Sequence, residues 1–186
     1  DITQYPRELI PVAVFMAGSP GAGKTESSKR LLEQFQGDII RIDSDELREY
    51  FEAYDGCNSH LFQAATSIIA EKIQDLAIKQ RQSYIFDGTL SNEAKSRENI
   101  QRCLRRGYSV IILYVYQDPM QAWEFVKARE REDGRAVPRD VFIDQYFRAR
   151  ESVNNIKQTF GKQVQVDLIV KNIDGSNLYY QENIDS

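Results

Sequence analysis

The run Gly18-Ser19-Pro20-Gly21-Ala22-Gly23-Lys24-Thr25 holds the residue types that grip a chain of phosphates. Gly18, Gly21 and Gly23 admit backbone angles closed to other residues, so successive N–H groups can converge on phosphate oxygens. The spacing Gly-x4-Gly-Lys-Thr brings a lysine to the β- and γ-phosphates and a hydroxyl to the place of a Mg²⁺ ion. An apolar run, Val12 to Ala17, precedes the motif and a helix-like segment follows it. That context separates a phosphate-binding loop from an ordinary glycine-rich turn, and the helix N-terminus adds partial positive charge. The nucleotide site is therefore expected over Gly18 to Glu26, with Thr25 on the metal.

Carboxylates recur where parallel strands would end. In Ile42-Asp43-Ser44-Asp45-Glu46, Asp43 with Glu46 three residues on also reads as a capping box. Asp45 is the better candidate for a base that takes a proton from a hydroxyl attacking phosphorus. In Phe86-Asp87-Gly88-Thr89, Asp87 suits a carboxylate assisting Mg²⁺, with a strand-end Asp-Gly turn as the competing reading. Thr89 could hydrogen-bond a substrate. Lys127 to Arg139 is dense in charge, and Arg129 reads as a surface ion-pair partner of Glu132 or Asp133. Arg135 lies between Gly134 and Pro138, where a lid would close over a transferring phosphate; an arginine so placed can contribute roughly 10³ to 10⁵ in rate. Arg148 and Arg150 follow on the next helix, and spacing does not choose between them.

Elements that would position these groups alternate along the chain. Five strand-like runs, Val12–Ala17, Ile39–Ile42, Tyr84–Asp87, Val110–Tyr116 and Val164–Val170, are rich in Val, Ile, Phe and Tyr, and most are near-continuously apolar, as in strands buried on both faces. Helical patterns cover Lys24–Phe35, Phe62–Ile78, Asn92–Arg106, Met120–Arg131 and Arg139–Lys157. On the second helix, Phe62, Ala65, Ile69, Ile73 and Leu76 form the expected apolar stripe. The pattern predicts one α/β domain over residues 1–186: a parallel five-stranded P-loop NTPase/kinase-like sheet, helices on both faces, and an arginine-rich lid near 129–150. Ligands then bind at the carboxyl ends of the strands. Asp174-Gly175 marks a terminal turn or hairpin.

Composition narrows the partners. A chain of 186 residues with net charge −4 lacks the basic excess of a general nucleic-acid binder. Cys57, Cys103 and the single His60 have no zinc-site spacing, and two unpaired thiols suit a cytoplasmic protein. No apolar run is long enough to cross a bilayer. The chain starts at Asp1 rather than methionine, as a trimmed or partial chain would.

From about Pro11 to Tyr180 the chain resembles the zeta toxin family, P-loop kinases of bacterial toxin–antitoxin systems. The likeness rests on the P-loop, Ile42-Asp43-Ser44-Asp45, Gly88-Thr89, and Gly134-Arg135-Ala-Val-Pro138, in that order and spacing. The resemblance implies ATP or GTP with Mg²⁺, and phosphorylation of the 3′-hydroxyl of UDP-N-acetylglucosamine, with an antitoxin as partner. It implies Lys24 as the P-loop lysine, Asp45 as the base, and Arg135 and Arg148 as the phosphate-stabilising pair. It also implies Glu71 and Thr89 as substrate contacts, although Glu71 reads from its position alone as a solvated helix residue. Two departures fall on the acceptor side. The usual glutamate before Gly-Thr is Asp87, and the family arginine after the threonine is replaced within Leu90-Ser91-Asn92. By the same resemblance, the N-terminal helical extension near which the antitoxin docks is expected to be short or missing in the given sequence. A kinase for another small acceptor is the alternative on the same chemistry; a nucleotide-sensing interaction module is the alternative of a different class.

Overall fold

The computed structural model describes residues 4–36 and 38–185, so Asp1 lies outside the described residues. Six strands form one sheet in the order β2-β3-β1-β4-β5-β6: β1 Val12–Ala17, β2 Ile40–Asp43, β3 Tyr84–Asp87, β4 Ser109–Tyr116, β5 Val164–Lys171 and β6 Asn177–Gln181. The first five are parallel, and β6 returns antiparallel to β5. The expected terminal hairpin thus adds a sixth strand to the expected five. Its residues are all exposed, Leu178, Tyr179 and Tyr180 included.

Among the described residues, five α-helices connect the strands: α1 Lys24–Gln34, α2 Ser59–Gln80, α3 Glu93–Arg105, α4 Pro119–Asp133 and α5 Arg139–Phe160. Alternate β-residues feed two cores. Ala13, Phe15, Ile40, Ile42, Tyr84 and Ile112 meet Ala70 and Ala77 of α2, Ile100 of α3 and Ile156 of α5. Val14, Met16, Ile39, Ile85 and Leu113 face the other way, toward Leu31 and Leu32 of α1. Helices therefore cover both faces.

The buried stripe of α2 differs from the expected one. Thr66, Ala70, Gln74 and Ala77 are buried, whereas Leu76 is 45% exposed. Small residues let the helix lie close to the sheet, and Gln74 donates from Nε2 to the buried Tyr84 hydroxyl at 3.0 Å. A polar side chain thus takes a place in the buried stripe, and an apolar-residue count placed the stripe one position off.

This topology puts five strand ends along one edge. Ala17 leads into the P-loop, Asp43 and Asp87 are register partners on neighbouring strands, and Tyr116 and Lys171 end β4 and β5.

Candidate active site

A cleft of about 980 Å³ opens along that edge. Pro20 to Glu26, Asp43 to Asp45, Arg48, Asp87 to Thr89, Arg129 and Arg135 to Pro138 line it. Its floor is backbone. Gly21 has φ +72°, and a Cβ there would lie 2.2 Å from the Ala122 carbonyl oxygen, so only glycine lets α4 approach the loop. The Gly18 N–H donates to the Thr89 carbonyl at 3.2 Å, tying the phosphate loop to the end of β3. Ser19, Ala22, Gly23 and Thr25 complete the loop and the first residues of α1.

Lys24 extends from the start of α1 and donates from Nζ to the Ser19 carbonyl at 2.6 Å. Burial pulls its ammonium down to about 8, against the opposing pull of Asp87, Asp45 and Asp43; Arg129 adds to the lowering. A phosphate beside it would reverse that cost.

Asp45 is held by three guanidiniums. Arg48 donates to Oδ1 at 2.6 Å, while Arg129 and Arg135 donate to Oδ2 at 2.8 and 3.1 Å. Burial alone would raise its pKa, but the Arg129 hydrogen bond and the charges of Arg48, Arg129 and Arg135 outweigh it. The carboxyl is therefore held below the ordinary aspartate range. Arg48 is itself buried on the 3-10 turn Glu46–Tyr50 and also donates to Gln63 of α2.

Arg135 is positioned by the close packing of the turn before it. A Cβ on Gly134 would lie 2.7 Å from Cys57 Sγ, and one on Gly56 2.4 Å from the Asp133 carbonyl oxygen. The turn before Arg135 is thus packed against the segment leading into α2, and Asp133 clamps the guanidinium from the side at 2.7 Å.

Asp43 is not a helix cap. Its Oδ1 accepts from the Asp45 N–H at 2.8 Å and its Oδ2 from Arg41 at 2.6 Å. Arg41, with a side chain 6% exposed, also donates to Asp87 Oδ2 at 2.6 Å and to Glu46, and its Nε to Ser28 Oγ at 2.9 Å. Ser28 donates in turn to Asp87 at 2.7 Å. This buried network locks β2, β3 and α1 together. Burial, with Asp87 beside it, raises the Asp43 carboxyl despite Arg41.

A smaller recess of about 160 Å³ adjoins the cleft and shares Ser44, Phe86, Gly88 and Thr89 with it. Lys95 lines this recess and pairs with Glu71, which does not itself line either space. Thr89 Oγ1 exchanges a hydrogen bond with Ser91 Oγ at 2.8 Å. Leu90, between them, adopts φ 58°, a costly angle for a leucine at the rim of a recess.

Lys24, Asp45, Asp87, Thr89 and Arg135 are thus brought together. Arg148 is not: its side chain is 62% exposed, its Nε donates to Asp144 at 2.8 Å, and it does not line the cleft. Arg150 is also exposed. Sequence reasoning missed Arg41, Arg48 and Arg129. Arg41 had a signal, a charge inside the strand Ile40-Arg41-Ile42; Arg48 stands one helical turn past Asp45. Arg129 had none, because its four-residue spacing to Asp133 explained it fully, and that pair does exist at 3.5 Å. Lys171 was missed too. Its side chain is 1% exposed beside Gly23, with Nζ 3.6 Å from Glu26 and no hydrogen bond.

Lys24, Asp45 and Arg135 about one cleft can be set beside a known sequence family. The model of that family, Zeta toxin, matches residues 1–185. The chain belongs to the Zeta toxin family. Toxin PezT of Streptococcus pneumoniae serotype 4 (strain ATCC BAA-334 / TIGR4) is 24% identical, over 70% of this chain and 57% of the toxin. The chain thus spans a little over half the length of that curated relative. A structure from the PezAT chromosomal toxin–antitoxin system of Streptococcus pneumoniae is similar with a TM-score of 0.71 at 18% identity, over 96% of this chain and 74% of that one. The AvrRxo1-ORF1:-ORF2 structure with ATP gives 0.72 at 16% identity, over 91% of this chain and 57% of that one. At such identities the likeness is one of fold. Within it, this Zeta toxin family chain has Asp87 before Gly88-Thr89 and, beside Arg48 and Arg135, a third cleft arginine, Arg129, on α4.

Proposed function

We propose that the protein is a kinase that transfers the γ-phosphate of ATP or GTP to a hydroxyl of a sugar nucleotide, the 3′-hydroxyl of UDP-N-acetylglucosamine, as the toxin of a toxin–antitoxin pair. The observation that carries this reading is the ionised Asp45 facing the P-loop lysine across one cleft, under Arg135. A passive nucleotide sensor needs no such carboxylate.

In the reaction, the P-loop N–H groups and Lys24 hold the β- and γ-phosphates. Asp45 orients the acceptor hydroxyl and takes its proton. The hydroxyl oxygen bonds to the γ-phosphorus as the bond to the β–γ bridging oxygen breaks, and the nucleoside diphosphate leaves. Arg135 closes on the phosphoryl oxygens. Arg148, assigned the same task by family resemblance, must first leave Asp144.

Mg²⁺ fits this donor set. Thr25 lines the cleft, and Asp87 commits only Oδ2 to Ser28 and Arg41. Among the described residues no cluster of three or more His, Cys, Asp or Glu could hold a metal. An ion with few protein ligands, completed by phosphates and water, suits Mg²⁺. When bound it would neutralise charge on the β- and γ-phosphates.

Thr89 and the recess beside it supply the acceptor side, with Glu71 brought near by Lys95. The antitoxin partner is inferred from the family and from the PezAT assembly. The test is direct: purified protein, ATP, Mg²⁺ and UDP-N-acetylglucosamine, with the product read by mass spectrometry. A gain of one phosphate is expected. Nucleotide binding without that product would remove the acceptor assignment, and a screen of other hydroxyl acceptors by ADP release would then replace it.

A further inference from the structure

Sheet order fixes which way a nucleotide must lie. β1, which leads into the P-loop, sits between β3 and β4, so Asp45 after β2 lies to one side of the loop and the ends of β4 and β5 to the other. The γ-phosphate points toward Asp45, and the nucleoside therefore lies over β4 and β5. There the cleft is lined by Gln117, Phe125, Asp174 and Gly175, which the steps of phosphoryl transfer leave unused. Hydrogen bonds pin the turn between β5 and β6 that carries Asp174. Gln117, 2% exposed, donates from Nε2 to the Asn172 carbonyl at 2.9 Å, and the Gly175 N–H donates to the same carbonyl at 2.9 Å. The Asn172 N–H donates to the Ser176 carbonyl at 2.7 Å. At the root of the turn Lys171 packs on the P-loop, its Cε 3.1 Å from where a Gly23 Cβ would lie. A Cβ on Gly175 would lie 3.9 Å from Phe125 Cζ, so the turn and the Phe125 ring adjoin.

We propose that Phe125 and this turn form a nucleobase site in which Asp174 selects guanine, so that GTP is the preferred phosphate donor. The proposal rests on the kinase reading above. A base is flat and apolar on its faces, and an aromatic ring offers it a stacking surface. Its edge meets Asp174. Oδ1 of that carboxylate accepts from the Ser176 N–H at 2.9 Å and from the Ser176 hydroxyl at 2.6 Å, while among the described residues Oδ2 accepts no hydrogen bond. The Ser176 bonds hold the carboxyl below the ordinary aspartate range. Oδ2 is thus a charged acceptor with its lone pairs free. Guanine offers it two neighbouring donors, N1–H and the 2-amino group. Adenine has an unprotonated N1 at that edge, whose lone pair the carboxylate repels, and no 2-amino group. ATP still binds through its phosphates, without the base contact.

The experiment is equilibrium titration of the protein with GDP, ADP and xanthosine diphosphate, with Mg²⁺ and no acceptor. GDP should bind about 10- to 100-fold more tightly than ADP. Asp174→Asn keeps an oxygen for Ser176 and turns an amide N–H to the base, where the 2-carbonyl of xanthine accepts it. This variant should lose most of the GDP preference, gain affinity for xanthosine diphosphate, and bind ADP within about threefold of the parent. A residue that only shapes the turn would move all three ligands together. Phe125→Leu should weaken GDP and ADP alike, by about five- to tenfold. Equal affinity of the parent for GDP and ADP overturns the proposal, and that comparison does not depend on a variant folding. An Asp174→Asn protein that keeps the GDP preference overturns it as well. Binding of neither diphosphate overturns both this site and the kinase reading. A GDP preference without phosphorylated sugar nucleotide supports the guanine site and counts against the acceptor alone.

Discussion

The two walls of the cleft are built from different materials. On the nucleotide side the contacts are backbone: Gly18 N–H to the Thr89 carbonyl, Gly21 against the Ala122 carbonyl, and the α1 N-terminus opening at Lys24. On the opposite side they are long charged side chains, Arg48, Arg129 and Arg135, converging on one carboxylate. A backbone wall is set by the sheet and has little freedom to vary. A wall of arginines can exchange partners, so it is the side expected to answer a ligand.

The largest effect should come from removing the carboxylate that the arginines share. Asp45→Asn removes the base, and phosphoryl transfer should fall by about 10² to 10⁴-fold. ATP binding should stay equal or become tighter, because a negative charge near the phosphates is gone and Arg129 and Arg135 are released. Steady-state rates together with equilibrium titration of ATP separate the two effects. Retained transfer would remove the base assignment. So would a joint loss of binding and rate, which would place Asp45 in the rigid wall.

On the backbone side the corresponding change is steric. Gly21→Ala puts a Cβ 2.2 Å from a carbonyl oxygen of α4 at φ +72°. Strain of this kind costs about 1–3 kcal/mol. Here nucleotide binding and melting temperature should fall together. Lost binding with unchanged stability would mean that the loop can move independently of α4.

The difference between the walls also governs what could be read from the sequence. The P-loop was legible because backbone geometry restricts residue type: glycines at fixed spacing after a buried strand have few other uses. Strands β1 to β5 were legible because burial on both faces demands continuous apolar runs. The exposed β6 carries no such demand, and α2 hid its true stripe behind small and polar residues such as Ala70 and Gln74. Asp45 and Arg135 could be picked out beside turns. Arg129 could not, because a helix-surface ion pair and a cleft arginine share one sequence pattern. Which of them it is depends on the rotation of α4, fixed by Ala122 and Val126 packing against Gly21 and Phe142.

Lys24 links the walls, and its titration gives a milder test. Its folded-state pKa of about 8 lies below the ordinary lysine value of 10.5. The burial cost to stability is therefore fully present below pH 8 and is relieved as pH rises toward 10.5. Phosphate favours the charged form, so above about pH 8 nucleotide binding must take up a proton. Affinity for ATP should be flat below that value and fall by up to about tenfold per pH unit above it. Calorimetry in buffers of different ionisation enthalpy would count the proton. No uptake at pH 9 would mean that Lys24 is already charged in the free protein, its carboxylate neighbours outweighing burial.

The smallest effect on stability is expected at Arg148. Its pair with Asp144 lies one turn apart on an exposed helix face. Pairs of that kind contribute about 0.3–0.5 kcal/mol. In a domain of this size that corresponds to roughly 1–2 °C in melting temperature. Arg148→Ala should therefore melt almost as the parent does, which makes its kinetics interpretable. A large drop in transfer would then mean that Arg148 leaves Asp144 and joins the cleft when both substrates bind. That result would give the arginine wall a fourth member, drawn from α5. An unchanged rate would confine the chemistry to arginines that already touch Asp45, and would set this chain apart from the pattern its family resemblance implies.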